Sequence, residues 1–333
     1  FTVPLAHITN GQRFREVFSF NGVAITPSTF NTMVDYVMKW VEQLQREQQF
    51  RKSHLQFGWT ESHESFVLGR DEYTISGEIL DNPPSTSTAN YMSMFEPKGT
   101  FEGWREAMKF LAQPGLEVQQ YVVCAAFGSI LMEFIDNVPG AGLHLYSTGT
   151  GHGKSTALFA GNSVWGDYKS LTLQAEDTMA STLHRGQVLK NLPLFVDEIT
   201  NKDPKALSDF VLQVTRGNER NRMQGSVNKE RERGSPWSLL SVTTGNVSLV
   251  QQVGQYKRSA RAEAARFLEI NAGKVHFASK KVTDEFNSLL ASNYGHAGPV
   301  FIRRMMEDRE FCKHIVLKVQ QAMDNALKLT AQQ

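Results

Sequence analysis

The chain has 333 residues, of which 41% are hydrophobic and 21% are charged, and its formal net charge at pH 7 is only +1. This length can bury more than one hydrophobic core, and the composition excludes an intrinsically disordered or fibrous protein. The near-neutral charge excludes a surface that attracts nucleic acid all over, so any basic binding site has to be a local patch.

The cysteine content and the hydropathy of the sequence indicate the cellular compartment of the protein. Cys124 and Cys312 show neither metal-ligand spacing nor a disulfide framework, and no signal peptide is recognised, which predicts a cytoplasmic setting (the host cytoplasm for a viral protein). The most apolar run, 121–135, contains Glu133 and is shorter than the roughly 20 residues that span a bilayer. It predicts a buried helix and no membrane partner. Because the sequence begins at Phe1, we interpret it as a fragment of a longer polypeptide.

Residues 1–100 are predicted to form an N-terminal accessory α+β domain and a linker. Apolar residues recur at helical spacing after Pro27, and strand-like pieces follow at 55–59, 65–69 and 72–77. The polar stretch 81–100, with its Pro-Pro pair and Ser/Thr cluster, predicts a loop or linker. The aromatic residues of the strand-like pieces lie at strand spacing, which favours a core over a base-stacking surface; they are Phe57, Trp59 and Phe66.

Residues 101–275 are predicted to form an α/β core. Helical patterns cover 101–112 and 116–136, and strand-like segments cover 142–147, 192–198 and 237–246. Residues 276–333 are predicted to form a C-terminal helical region.

A glycine-rich loop joins the first of these strands to a helix, in the sequence "YSTGTGHGKSTAL" at 146–158. Glycines let backbone N–H groups turn towards phosphates, and the helix N-terminus adds positive potential. Lys154 is expected to reach the β- and γ-phosphates of ATP, and the Ser155 hydroxyl to bind Mg²⁺. The alternative is a plain strand–helix turn, since Thr148 stands where the usual pattern has glycine. The predicted phosphate-binding residues are Thr148, Gly149, Thr150, Gly151, His152, Gly153, Lys154, Ser155 and Thr156.

Two acids end the second strand, in "LFVDE". A buried strand that ends in carboxylates places Asp197 at the metal and lets Glu198 polarise the attacking water. The third strand ends in "SVTTGN", which brings Thr244 or Asn246 near the γ-phosphate; we prefer Asn246, because its amide can both donate to phosphate and orient water.

Three arginines follow in the run "YKRSARAEAARFLEI". A nucleotide site shared between subunits is completed by an arginine of the neighbour. Arg266 is preferred because it directly precedes a strand-like segment, with Arg261 next and Arg258 before them. The alternative is a solvated helix face.

These motifs together resemble a known family. "LKNLPLFVDEIT", "TRGNERNRMQGS", "PWSLLSVTTGN" and "EAARFLEI", with "GWTESHESFVLG" upstream, resemble the domain-of-unknown-function 927 group of phage and plasmid ATPases over roughly 55–270. The order of the motifs is also similar to that of superfamily 3 replicative helicases. The resemblance implies an AAA+-like P-loop ATPase core, a homo-oligomeric ring that is usually hexameric, and translocation on single-stranded nucleic acid. It also implies a fused or associated primase or polymerase.

The segment 216–236 is rich in Lys and Arg and lies between the second and third strands. Superfamily 3 helicases carry a DNA-binding hairpin in this interval, so the resemblance implies Lys229 as the phosphate contact, supported by Arg231 and Arg233. Cations in a ring pore neutralise phosphates without reading sequence. The alternative is a solvated charged loop, and the roles of Arg220 and Arg222 are left open between nucleotide and subunit contact.

The sequence therefore predicts an ATP-dependent, ring-forming DNA helicase or translocase of phage or plasmid replication that binds single-stranded DNA. The alternatives are a nucleotide-switched scaffold or loader that acts on a protein partner and a packaging-type DNA motor. The segment beyond 275 is short for the nuclease domain that a packaging motor usually carries.

Overall fold

A five-stranded parallel sheet and a four-stranded antiparallel sheet organise the chain. The computed structural model describes residues 3, 5–47, 53–149, 151, 153–219, 223–224, 229–230, 234–273, 277, 279–308, 310, 313–314, 316–322 and 325. Its α-helices are Leu5–Ile8 (α1), Gly11–Phe20 (α2), Phe30–Arg46 (α3), Phe101–Leu111 (α4), Glu117–Gly128 (α5), Lys154–Asn162 (α6), Tyr168–Leu171 (α7), Met179–Leu189 (α8), Pro204–Val214 (α9), Leu249–Gly254 (α10), Arg261–Ala264 (α11), Lys280–Ser292 (α12) and Ala297–Glu307 (α13).

The strands are Gly58–Trp59 (β1), Ser65–Leu68 (β2), Asp71–Thr74 (β3), Ile79–Asp81 (β4), Gly140–Tyr146 (β5), Leu173–Gln174 (β6), Leu194–Asp197 (β7), Met223–Gln224 (β8), Lys229–Glu230 (β9), Leu239–Gly245 (β10) and Phe267–Asn271 (β11). Three short 3₁₀ helices cover Ala89–Phe95, Ser129–Phe134 and Ile199–Asn201.

The five-stranded sheet has the order β11-β5-β10-β7-β6, and every neighbouring pair is parallel. Strands β5, β7 and β10 are buried along most of their length, as is typical of a parallel sheet covered by helices on both faces. All five strands therefore end at one edge, which we call the carboxyl edge; the opposite edge is the amino edge. Strand β10 lies between β5 and β7, although it follows both in the chain.

The four-stranded sheet has the order β1-β2-β3-β4, with antiparallel neighbours. Trp59 and Phe66 of this sheet, and Phe57 directly before β1, are at most 1% exposed, so their assignment to the core is confirmed. The Trp59 indole N–H donates to Ile130 O at 2.9 Å, which attaches this sheet to the 3₁₀ helix Ser129–Phe134. Apolar residues of both sheets belong to one continuous core cluster. The domain divisions at 100 and 275 stay a prediction.

The stretch 81–100 differs from the loop that its polar composition predicts. It carries the 3₁₀ helix Ala89–Phe95, in which Met92 and Phe95 are buried. Few apolar residues suffice here because they point to the same side and enter an existing core. The predicted helix 116–136 also divides into α5 and a 3₁₀ helix, whereas the helical pattern after Pro27 is confirmed as α3 and the region beyond 275 contributes α12 and α13.

Candidate nucleotide-binding site

The glycine-rich loop lies between β5 and α6, at the carboxyl edge. Gly151 and Gly153 have φ angles of 75° and 73°, in the left-handed region that glycine enters without a steric penalty. Gly153 directly precedes α6 and has no side chain to cap its first turn. The first N–H groups of an α-helix lack partners within the helix, so they can bind an anion at this position.

Lys154 opens α6 and is buried, with 7% of its surface exposed. Its Nζ donates to Ser147 Oγ at 3.1 Å, to the carbonyl oxygens of Ser147 and Gly149 at 3.2 and 3.4 Å, and to Asn246 Oδ1 at 3.3 Å. All four acceptors are neutral oxygens. Among the described residues, no carboxylate pairs with this buried ammonium group. Such a group attracts an anionic ligand, because neutral dipoles compensate its charge only in part.

Ser155 and Asp197 meet beside this lysine. Ser155 Oγ lies 3.3 Å from Asp197 Oδ1, and the hydroxyl of the buried Thr244 donates to the same carboxylate oxygen. Hydroxyl and carboxylate oxygens are hard ligands of the kind that Mg²⁺ prefers in phosphate sites. The donor set of Ser155 and Asp197 therefore fits a magnesium ion.

Glu198 follows β7 and turns away from the strand direction. Its φ and ψ are 54° and 34°, a left-handed conformation that is uncommon for residues other than glycine and asparagine. The turn is held by the Glu198 N–H, which donates to Thr244 Oγ1 at 2.9 Å. It aims the carboxylate at Asn246, whose Nδ2 donates to Glu198 Oε2 at 2.9 Å. One amide side chain thus joins Lys154 to Glu198.

Three hydroxyl residues complete this edge, and sequence reasoning did not assign two of them. The sequence left Thr244 and Asn246 as alternatives, and the structure brings both side chains to this edge. The Thr244 hydroxyl contacts the Asp197 carboxylate and the Glu198 N–H, and the Asn246 amide contacts Lys154. Ser147 Oγ accepts from Lys154, and Thr200 Oγ1 accepts from the Asn246 N–H at 3.0 Å. The signal for them was weak, because a hydroxyl residue near a strand end is usually part of a turn.

The predicted arginines lie elsewhere. Arg266 lies at the amino edge, directly before β11. Its carbonyl oxygen accepts from Gly142 N at 2.9 Å, and its side-chain Nη1 donates to Ala262 O at 2.6 Å. Arg266 lines a cleft of about 600 Å³ together with Arg216 and the start of β5. Arg261 opens α11 and is exposed. The structure therefore does not bring Arg261 or Arg266 to the carboxyl edge of their own chain.

The remaining predicted residues belong to the glycine-rich loop and to the basic segment 216–236. Thr148 is exposed and Thr156 is half-buried, whereas Thr150 and His152 lie outside the described residues. Strands β8 and β9 pair as an antiparallel ribbon, in which the Lys229 backbone is opposite Gln224, as expected for a hairpin in this interval. Predicted residues of the basic segment that lie outside the described residues are Arg220, Arg222, Arg231 and Arg233.

The described ranges contain no helix that is long and apolar enough to cross a membrane. The run 121–135 instead forms most of α5 and the whole 3₁₀ helix Ser129–Phe134.

Comparison with known proteins places this geometry in context. No curated protein matches the chain in sequence. The structure is similar to that of SCCmec type IV Cch, described as an active helicase, with a TM-score of 0.71 and 17% sequence identity. The match covers 97% of this chain and 59% of the helicase chain, so the chain spans a little more than half of that protein's length. At this identity the likeness shows a shared mixed α/β fold with a parallel sheet.

The sequence itself matches the family model "Domain of unknown function (DUF927)" over residues 3–233, which is more than half of its length. The chain belongs to the DUF927 family.

Proposed function

We propose that this chain is an ATP-dependent DNA helicase or translocase with an AAA+-like P-loop core, which acts as a homo-oligomeric, usually hexameric, ring on single-stranded DNA. One observation carries the proposal: Asn246 joins Lys154, at the glycine-rich loop, to Glu198, at the end of β7. A phosphate-binding lysine, an acid and an amide in one hydrogen-bonded chain are the groups that hydrolysis of a nucleoside triphosphate requires.

The loop and the start of α6 would hold the phosphates of ATP. Lys154 exchanges its neutral oxygen partners for phosphate oxygens, which are stronger acceptors for an ammonium group. Ser155 and Asp197 would hold Mg²⁺, which would neutralise charge on the phosphates of the bound nucleotide. Thr244 keeps the Asp197 carboxylate oriented through its hydroxyl.

Glu198 acts as the group that polarises the attacking water. In the structure its carboxylate is engaged by the Asn246 amide. When Asn246 donates to the γ-phosphate instead, one oxygen of Glu198 becomes free to accept a proton from water. Asn246 therefore couples the presence of the γ-phosphate to the readiness of Glu198.

A neighbouring copy completes the site in this proposal. Arg266 is separated from the phosphate loop by the part of β5 from Gly142 to Tyr146, roughly 13 Å at about 3.3 Å per residue. A head-to-tail contact between copies would bring the amino edge of one chain to the carboxyl edge of the next, and such contacts generate rings when they close. Arg266, with Arg216 in the same cleft, would then stabilise transition-state charge in trans, and the exposed Arg261 of α11 is the second candidate.

The ribbon of β8 and β9 supports a role in strand binding. Lys229 lies on this ribbon, and Arg231 and Arg233 follow it in the sequence. We assign these three residues to the phosphates of single-stranded DNA, in the pore of the ring. Replication of a phage or plasmid, with a fused or associated primase, is the setting that the family resemblance suggests; the similar protein SCCmec type IV Cch is itself described as an active helicase.

The first experiment is ATP turnover with and without single-stranded DNA, for the wild type, Lys154→Ala and Lys229→Ala. We expect DNA to stimulate the wild type several-fold, Lys154→Ala to abolish turnover, and Lys229→Ala to keep basal turnover but lose the stimulation. Basal turnover that ignores DNA in the wild type would contradict the translocase and favour the scaffold or loader. A wild type without any turnover would contradict the ATPase.

A further inference from the structure

His144 lies in β5, fully buried behind the carboxyl edge, and no step proposed above uses it. Its Nε2 lies 3.1 Å from Val247 O, and its Nδ1 lies 2.9 Å from Thr243 Oγ1. A carbonyl oxygen only accepts, so this pairing assigns the proton to Nε2 and makes Nδ1 the acceptor from the threonine hydroxyl. Burial lowers the pKa of His144 below its ordinary value, and the nearby Lys154 acts in the same direction. These effects outweigh the hydrogen bond to the Val247 carbonyl and the charge of Glu269, which favour the protonated ring.

The two hydrogen bonds of His144 hold both ends of the segment 243–247. This segment contains Thr244, which contacts Asp197, and Asn246, which joins Lys154 to Glu198. Val247 directly follows Asn246, so the bond from Nε2 fixes the backbone from which the Asn246 side chain extends. Without it, a partly buried carbonyl would lack a partner, and such a loss favours movement of the turn.

Glu269 anchors the next part of the chain. Its carboxylate accepts from Ser248 Oγ at 2.8 Å and from the Val250 N–H at 3.3 Å, at the start of α10. Glu269 is the cross-strand neighbour of His144 on β11, and Thr243 is its neighbour on β10. Polar side chains from two adjacent strands thus hold 243–250 from beneath. The hydrogen bonds of His144 and Glu269 therefore limit how far the backbone at Asn246 can move.

We propose that His144 is a positioning residue for ATP hydrolysis: its Nε2–H bond to Val247 holds the Asn246 amide between Lys154 and Glu198. The inference rests on the proposed function, because it takes Asn246 and Glu198 as working groups. Displacement of a reacting group by about 1 Å can lower a rate by about 100-fold, so a bond to the adjacent residue is enough to matter.

The test compares His144→Gln with His144→Asn. The glutamine amide reaches the position of Nε2 and can still donate to Val247, whereas the shorter asparagine reaches only the position of Nδ1, towards Thr243. We expect His144→Asn to lower kcat for Mg²⁺-ATP by about 10- to 100-fold with little change in KM, and His144→Gln to retain kcat within about threefold. Hydrogen exchange of peptides covering 243–250, measured without nucleotide, should rise in His144→Asn and stay near the wild type in His144→Gln.

Ser129→Ala is the matched control. Ser129 is also buried, and its Oγ accepts from Leu240 N at 3.0 Å at the opposite end of β10 and donates to Asn191 O at 2.7 Å. Its loss removes buried hydrogen bonds of the same kind far from Asn246. We expect kcat to stay within about twofold of the wild type, even if the melting temperature falls as much as in His144→Asn.

Three results would overturn the inference. They are unchanged exchange over 243–250 in His144→Asn, increased exchange with unchanged kcat, and equal loss of kcat in both His144 variants in proportion to their melting temperatures. Failure of the proposed function looks different. A wild type without turnover removes the catalytic role of Asn246, while the exchange measurement still decides whether His144 holds the turn.

Discussion

The two edges of the parallel sheet differ in how far their charges are matched. At the carboxyl edge, the described side chains of Lys154, Asp197 and Glu198 are linked through hydroxyl and amide groups. At the amino edge, Arg216 and Arg266 line one cleft, and neither guanidinium has a carboxylate partner among the described residues. The charged groups of the carboxyl edge are therefore already joined within one chain, whereas the two arginines of the amino edge are left available to an anionic ligand. The proposed head-to-tail contact between copies would bring these two edges together.

The largest expected effect is on ATP turnover, and it tests whether an arginine of the amino edge serves the site of a neighbouring copy. Arg266→Ala should lower ATP turnover by about 1,000-fold or more, as loss of an arginine that stabilises phosphoryl transfer does, while Mg²⁺-ATP still binds. Lys154→Ala should be equally inactive. Mixing the two inactive variants should restore part of the turnover, because some sites then combine an intact loop with an intact arginine from the neighbour. Absence of recovery in mixed assemblies would place Arg266 outside the shared site.

The carboxyl edge alone is tested by Glu198→Gln. We expect turnover to fall by about 100- to 10,000-fold, because the amide cannot take the proton of the attacking water. Binding of Mg²⁺-ATP should be retained, since Glu198 is not expected to hold the phosphates. Single-turnover hydrolysis and equilibrium binding of a fluorescent ATP analogue measure the two properties. Turnover near that of the wild type would remove Glu198 from the role of base.

The close packing of this edge predicts a smaller effect on stability. A Cβ at Gly245 would lie 2.4 Å from Thr200 Cγ2 and Oγ1, and Thr200 holds the Asn246 N–H. Gly245→Ala should therefore lower the free energy of unfolding by about 1–3 kcal/mol, as overpacking does. The control is Gly254→Ala at the end of α10, where a Cβ meets nothing within 4 Å and alanine favours the helix. Urea unfolding of both variants is the measurement, and equal stabilities would contradict the packing argument.

The smallest expected effect is a pH dependence of the free energy of unfolding, caused by the buried His144. Because His144 has a lowered pKa when folded, the unfolded chain binds a proton first as the pH falls below about 6.5. The contribution of the neutral ring to the free energy of unfolding is therefore complete above pH 6.5. It is lost as the pH falls towards the pKa of His144 in the folded chain, and the free energy of unfolding then decreases by up to about 1.4 kcal/mol per pH unit. Urea unfolding at pH 7.5 and 5.5 should show this loss, and His144→Gln should reduce it. An unchanged difference in that variant would assign the dependence to other groups.

Local sequence determined the glycine-rich loop, the acids that end β7 and the apolar segments that form β5, β7 and β10. These features depend on residues adjacent in the chain: glycines that permit positive φ, a lysine and serine that open a helix, and buried runs that end in polar groups. For the same reason the family could be identified from motifs alone. The roles of the individual site residues stay predictions until the variants are measured.

Only the tertiary structure decided which side chains meet. Asn246 reaches both Lys154 and Glu198 because β10 is inserted between β5 and β7, and neither partner is near it in sequence. The same strand order places His144 beneath Asn246 and sends Arg266 to the opposite edge. Hydrogen bonds between distant segments depend on strand order and register, and periodicity within one segment carries no information about either.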